Sequence, residues 1–153
     1  MTEVVKTDLP SRERVMEFER ELEAFGKETG GTLDAELLTR HWFAPGIYAR
    51  ELTIPAGACL TGKIHKEAHI SIISAGRIAV MTEHGIKEIS APCTLKADAG
   101  IKRVGYALEE TVWTCIHPNP DDCTDLIALE ARYIAPSFDA LPVTKPDELE
   151  VLP

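Results

Sequence analysis

A chain of 153 residues that is 44% hydrophobic and 27% charged holds enough apolar side chain for one domain with a real core. It is too short for two ordinary domains and too apolar to be disordered. A formal net charge of −9 argues against nucleic acid as the principal partner, because binding phosphates calls for a basic surface. No apolar run reaches membrane-spanning length and the start Met-Thr-Glu-Val-Val-Lys lacks the apolar centre of a signal peptide, so no membrane partner is expected and the cytoplasm is the expected location.

Residues 1–40 read as a helical extension. Ser11 caps a helix running to about Phe25, in which Val15, Phe18, Leu22 and Phe25 form one apolar stripe among glutamates and arginines. The stripe either docks on the body of the domain or meets another subunit. Gly26 with Gly30 and Gly31 is expected to end the helix, and 33–38 to add a short helical turn. From His41 onward the pattern changes to short strand-like runs at 46–54, 59–65, 67–74, 77–83, 86–90, 93–97, 102–107 and 111–117. Pro55-Ala56-Gly57, Ser74-Ala75-Gly76 and Glu83-His84-Gly85 mark turns between them. With no helices between the strands, 41–118 is expected to be an all-β antiparallel sandwich or small barrel. Residues 119–153 are expected to hold a helical segment from Asp121 to Arg132, capped by Asp121 or Asp122, and then a proline-rich acidic tail. The four cysteines, Cys59, Cys93, Cys115 and Cys123, have no CxxC or zinc-ribbon spacing and are expected to be reduced packing residues.

The chemistry concentrates in Thr61 to Gly76. His65, Glu67 and His69 are spaced two apart, which on a strand places them on one face, and two imidazoles with a carboxylate suit a divalent transition metal. Zinc, iron, manganese and nickel all accept such a set. The alternative is a hydrogen-bonded pair of barrel histidines. Glu67 either ligates, acts as a base, or pairs with Lys63 or Lys66. His65 and His69 must converge around a bend or bulge, because four residues of straight strand hold them too far apart.

The stretch resembles the cupin superfamily of small jelly-roll barrels. In that family's first signature, H-x-H is followed by three or four residues, a glutamate, six residues and a glycine. Here Gly76 is the glycine, His69 stands for the glutamate, His65 for the second histidine and Lys63 for the first. The second signature, P-x-G-x-x-H, corresponds to Asp98-Ala99-Gly100-Ile101-Lys102-Arg103, with Arg103 in the place of the last ligand. Two of the four ligand positions thus hold metal-binding residues and two hold cations. The resemblance implies a cupin-type jelly-roll barrel with an N-terminal helix and a short C-terminal helical segment. Gly62 to Lys66, Gly100 to Arg103 and Glu109 to His117 further resemble small cupin-like proteins of bacteriophages and prophages, which implies a virion or assembly component as one functional class and phage structural proteins as partners.

Three readings follow. One is a metal-dependent binding protein or enzyme using His65 and His69 with Glu67 or His117. His117 enters because 102–107 and 111–117 read as a hairpin whose turn length decides whether it faces Arg103. The second is a metal-free binder in which Lys63 and Arg103 hold a carboxylate or phosphate. Tyr106 and Trp113 then form a stacking wall, although core packing is the simpler role for them and for Tyr48. The third is a non-catalytic, oligomerising virion module. The apolar stripe and open barrel edges lead to the expectation of a homo-oligomer, most simply a dimer. A hydrolase of the nucleophile-elbow type is not expected, since no G-x-S-x-G motif is present. His41 and His84 receive no role.

Overall fold

Side chains that alternate along each strand build a closed apolar interior here. His69, Ser71 and Ile73 point inward from one strand, Ile78, Val80 and Thr82 from the next, and Leu95 and Ala97 from a third. The computed structural model describes residues 12–29, 38–135 and 150–151. It is predominantly β. In chain order the elements are α1 (Arg12–Thr29), β1 (Thr39–Ala44), β2 (Gly46–Ile54), β3 (Cys59–Thr61), β4 (Ile64–His65), β5 (His69–Ala75) and β6 (Arg77–Thr82). There follow β7 (Gly85–Ser90), β8 (Cys93–Ala97), β9 (Val104–Ala107), β10 (Thr111–Asn119), α2 (Leu126–Tyr133), β11 (Ile134–Ala135) and β12 (Glu150–Val151).

The strands form a sheet in the order β1-β2-β10-β5-β8-β12, a second sheet β3-β9-β6-β7, and the pair β11-β4, and every pairing is antiparallel. This is an antiparallel two-sheet β-barrel with a helix before and after it. The core, between the two larger sheets, comprises Ile54, Ile73, Ile78, Val80, Ile89, Leu95 and Ala107, with Leu52, Leu60 and Trp113 packed against it. A smaller cluster of Tyr48, Leu129 and Tyr133 fastens α2 to β2.

Several expectations need correction. The run 59–65 is two strands, and the chain turns over Lys66, Glu67 and Ala68 before β5 begins at His69. Strands β9 and β10 do not form a hairpin. They lie in different sheets, and the chain crosses between them at Leu108 to Glu110. That corner is held by the Arg77 carbonyl, which accepts from Leu108 N at 2.9 Å, Glu109 N at 3.1 Å and the buried Thr111 Oγ1 at 3.3 Å. Strand β1 was not expected. It returns along β2 through the tight turn at Pro45 and Gly46, pairing Thr39 with Leu52 and Ala44 with Ile47. Helix α1 continues past Gly26 to Thr29, and the turn expected at 33–38 falls largely outside the described residues. Helix α2 begins late because Asp125 is the cap, its carboxylate accepting from Ile127 N at 3.0 Å and Ala128 N at 3.3 Å. Within the expected tail, Glu150–Val151 pairs with β8 and covers the edge of that sheet.

Helix α1 meets its own barrel near its start. Val15 is buried, Arg12 donates to Glu83 through Nε and Nη2 at 3.2 Å, and Lys102 pairs with Glu19 at 2.6 Å. Phe18 stays largely exposed. Tyr106, expected in the core or in a ligand wall, is 46% exposed on the outside of β9.

Gly76 shows why the turn between β5 and β6 must be glycine. Its φ is +86°, and a Cβ there would lie 2.1 Å from the Glu110 carbonyl oxygen. Gly57 has a similar φ of +80° with nothing within 4 Å. Gly76→Ala is therefore expected to destabilise by roughly 2–5 kcal/mol, strain plus overlap with fixed backbone. Gly57→Ala should cost about 1–2 kcal/mol, the left-handed penalty alone. Urea unfolding of the two variants checks the difference, and equal losses would contradict it.

Candidate metal and ligand site

His65 is placed by backbone clamps on both sides. Strand β4 pairs with β11 so that His65 faces Ile134, Lys66 N donates to the Tyr133 carbonyl at 2.8 Å, and the His65 carbonyl accepts from Gly100 N at 2.9 Å. The reversal at 66–68 then brings His69 alongside, opposite Ala97 of β8. The bend that the spacing required is this strand break. The two imidazole centroids stand 4.1 Å apart.

The third histidine arrives from β10. Cys115 pairs with Ser71 and Ile116 with Ile70, and His117 lies one residue beyond, paired on its other side with Tyr48. Its ring centroid is 5.3 Å from His65 and 5.1 Å from His69. Tyr133 stacks on His117 at 4.5 Å and hydrogen-bonds the Pro118 carbonyl, so α2 and its end fix that ring. The sequence argument sought His117 through a hairpin with β9, whereas pairing with β2 and β5 delivers it.

Glu67 does not project beside the histidines. Its side chain is exposed, and its contribution is the backbone carbonyl, 3.4 Å from His69 Nδ1. A carbonyl only accepts, so Nδ1 carries the proton and Nε2 presents a lone pair. His69 Nε2 and His65 Nδ1 are both buried without a partner. Among the described residues, the ligand atoms that gather within 4.8 Å of one another belong to His65, His69 and Cys115. Cys115, read from the sequence as packing, therefore joins the set. The signal was available: Trp113, Cys115 and His117 alternate along one strand and so share a face. All four cysteines are free thiols.

Burial keeps the three histidines uncharged. His65 falls to about 2, through desolvation and then the neighbouring His69, His117, Arg103 and Arg50. His69 falls to about 4, through desolvation and then Arg103 and His117, and His117 to about 4, through desolvation and then Arg50. Neutral imidazoles are the form that ligates metals.

Two cavities meet at His65. An outer one of about 270 Å³ lies between the barrel and α2, lined by His41, Tyr48, Arg50, Lys63, His117 and Tyr133 among others. An inner one of about 100 Å³ includes Leu52, Leu60, Arg103, Trp113 and Cys115 in its walls. Arg50, Lys63 and His65 line both. Lys63 is ion-paired with Glu130 of α2. His41, given no role from sequence, shares a 2.8 Å hydrogen bond between its Nδ1 and the Tyr48 hydroxyl. Trp113 lines the inner cavity, and Tyr106 lines neither.

No protein-family model matches the chain, and no curated protein matches it in sequence. Solved structures similar to it include cupin-fold proteins. The oxalate decarboxylase of Lactobacillus farciminis, in its formate complex, gives a TM-score of 0.47 at 21% identity over 63% of this chain and 30% of that one. KdgF from Halomonas sp. gives 0.45 at 20% identity over 59% and 87%, and a cupin 2 domain-containing protein from Halorhodospira halophila 0.46 at 16% over 67% and 80%. No helix among the described residues is long and apolar enough to cross a membrane.

The lowered histidine pKa values make stability depend on pH. Above the unfolded value near 6.5 both states are neutral and the full stability is present. Below it the unfolded chain takes up protons that the folded chain refuses, so stability falls with pH until the folded values are reached. The expected slope is about 1.4 kcal/mol per pH unit for each histidine. Urea midpoints between pH 7.5 and 5, taken in chelator, should drop accordingly, and less steeply in His69→Gln. A level midpoint would contradict the burial of neutral imidazoles.

Proposed function

We propose that this chain is a cupin-type metal-binding protein that holds one divalent ion on His65 and His69, with Cys115 or His117 completing the set, beside a cavity that takes a small anionic ligand. The observation that carries the reading is the pair of buried, partnerless nitrogens, His65 Nδ1 and His69 Nε2, gathered with Cys115 Sγ within 4.8 Å. Leaving two such acceptors dry and unpaired is costly unless something occupies the space between them. A thiol among imidazoles favours zinc, iron or nickel over manganese.

The surrounding residues do the positioning. The Glu67 carbonyl fixes the tautomer of His69, Tyr133 and Tyr48 hold the His117 ring by stacking, and α2 roofs the outer cavity. A divalent ion bound there supplies a Lewis acid for an oxygen of the ligand or of water. Arg103 is the cation for the anionic ligand, since Lys63 is paired with Glu130.

A second reading, an oligomerising module without catalysis such as a virion component, is favoured by one feature. Trp42 of edge strand β1 and Ile47 of β2, which share one face of the sheet, are exposed by 53% and 46%. Such a surface supports self-association. Sedimentation at micromolar concentration bears on it, and a species of only 16.8 kDa would count against it.

The metal reading predicts close to one equivalent of divalent ion in protein purified without a histidine tag, and less than a tenth in His65→Ala/His69→Ala. Cobalt substitution separates the third donors: thiolate-to-cobalt charge transfer should appear and vanish in Cys115→Ser if Cys115 ligates, and persist in His117→Ala. A protein that neither carries nor gains zinc, iron or nickel sinks the proposal.

A further inference from the structure

Arg103 presents a charge that the protein does not neutralise. It precedes β9, where its carbonyl accepts from Gly62 N at 2.7 Å, and its side chain turns into the barrel with 9% exposure. Nε and Nη2 are buried and have no hydrogen-bond acceptor. These two nitrogens carry the parallel N–H bonds along one edge of the guanidinium, the edge that grips a carboxylate with two bonds. Asp98 and Cys115 act on Arg103 at electrostatic range, but neither supplies an acceptor to those atoms, and Asp98 is paired with Lys96 at 3.4 Å. A buried guanidinium left in this way is strongly unfavourable.

The space in front of it is apolar. The inner cavity of about 100 Å³ is walled by Leu52, Ile54, Leu60, Ile78, Val80 and Trp113, with Arg103 at one side. It is smaller than the ~150 Å³ that admits benzene, which limits an occupant to about three to five carbon atoms. Arg50, Lys63 and His65 also line the cavity, but the buried guanidinium donors left without a partner are those of Arg103, and one paired edge facing a largely hydrocarbon wall suits a carboxylate on a short apolar body. Phosphate, with more charge and more oxygens to satisfy, would set some of them against the leucine, isoleucine, valine and tryptophan side chains, and Lys63 at the rim is already paired with Glu130.

We propose that the inner cavity binds a short aliphatic monocarboxylate, its two oxygens on Nε and Nη2 of Arg103 and its hydrocarbon end against Leu52, Leu60 and Trp113. This deepens the anionic-ligand part of the proposed function and does not depend on a metal being present. Cys115 lines the same cavity, which sets the carboxylate beside the candidate metal ligands.

The test is calorimetric titration of butyrate into full-length protein freed of metal with chelator, alongside a separate zinc titration of the same preparation. Saturable one-to-one butyrate binding is expected. It should weaken at least tenfold in Arg103→Gln and also in Leu60→Phe, which fills the cavity and leaves the guanidinium in place. Inorganic phosphate at ten times the butyrate concentration should not compete. If Arg103→Gln does not fold, Arg103→Lys keeps the charge, loses the paired edge and is expected to weaken binding in the same direction. No butyrate binding, binding that survives both a folded Arg103 variant and Leu60→Phe, binding that appears only after zinc is added, or equal binding of phosphate each overturns the proposal. Zinc uptake without butyrate binding leaves the metal site standing and removes this one, and the reverse result does the opposite.

Discussion

The interior of this barrel has to keep a cationic side chain dry next to three imidazoles, and the arrangement of the site follows from that electrostatic constraint. Arg103 disfavours a proton on His65 and on His69, and Arg50 does the same for His65 and His117. Desolvation is the larger cause at all three rings, and with it none is charged near neutral pH. An uncharged ring offers one nitrogen as a lone pair and one as a donor. The Glu67 carbonyl decides which is which at His69. Arg103 therefore adds to desolvation in keeping His65 and His69 neutral, the form in which imidazoles ligate metals.

The C-terminal segment belongs to the site as much as the barrel does. Leu129 and Tyr133 pack on Tyr48, Tyr133 stacks on His117, and its carbonyl receives Lys66 N just after His65. Lys63 to Glu130 and Lys66 Nζ to the Ala131 carbonyl, at 2.7 Å for the latter, tie the same helix to the loop that carries the histidines. Exposed ion pairs contribute little singly, so most of the hold comes from the buried leucine and the tyrosines. Any shift of α2 would move the wall of the outer cavity and release the ring of His117 together.

Strand positions were legible because alternation of apolar residues is a local signal. Strands β2 and β8 fall where the pattern puts them, and Gly76 stands out because only a glycine fits a positive φ against a neighbouring backbone. Non-local pairing was not legible. Residues 102–117 looked like a hairpin because the two runs are separated by three residues, yet the corner pinned by the Arg77 carbonyl sends them to opposite sheets. Glu67 looked like a ligand because a strand was assumed to run through it, and the turn at 66–68 reverses that geometry. Cys115 shares a face with His117 by alternation, but its neighbours His65 and His69 come from distant strands, and His41 gains its meaning only from Tyr48, 7 residues away.

The two cations at ligand positions have separate fates, and the difference bears on what the barrel can hold. Lys63 is long and flexible, lies at the rim, and reaches outward to Glu130, where it ties α2 to the barrel mouth. Arg103 lies deeper, with Nε and Nη2 buried and without an acceptor at one side of the inner cavity. Strand β10 presents Cys115 and His117 on one face toward His65 and His69. A donor set drawn from β4, β5 and β10 leaves the β9 side of the barrel to the guanidinium. His65 and Cys115 of the cluster and the unpaired edge of Arg103 thus lie on different walls of one cavity, so the proposed metal and the proposed carboxylate do not compete for the same side chains.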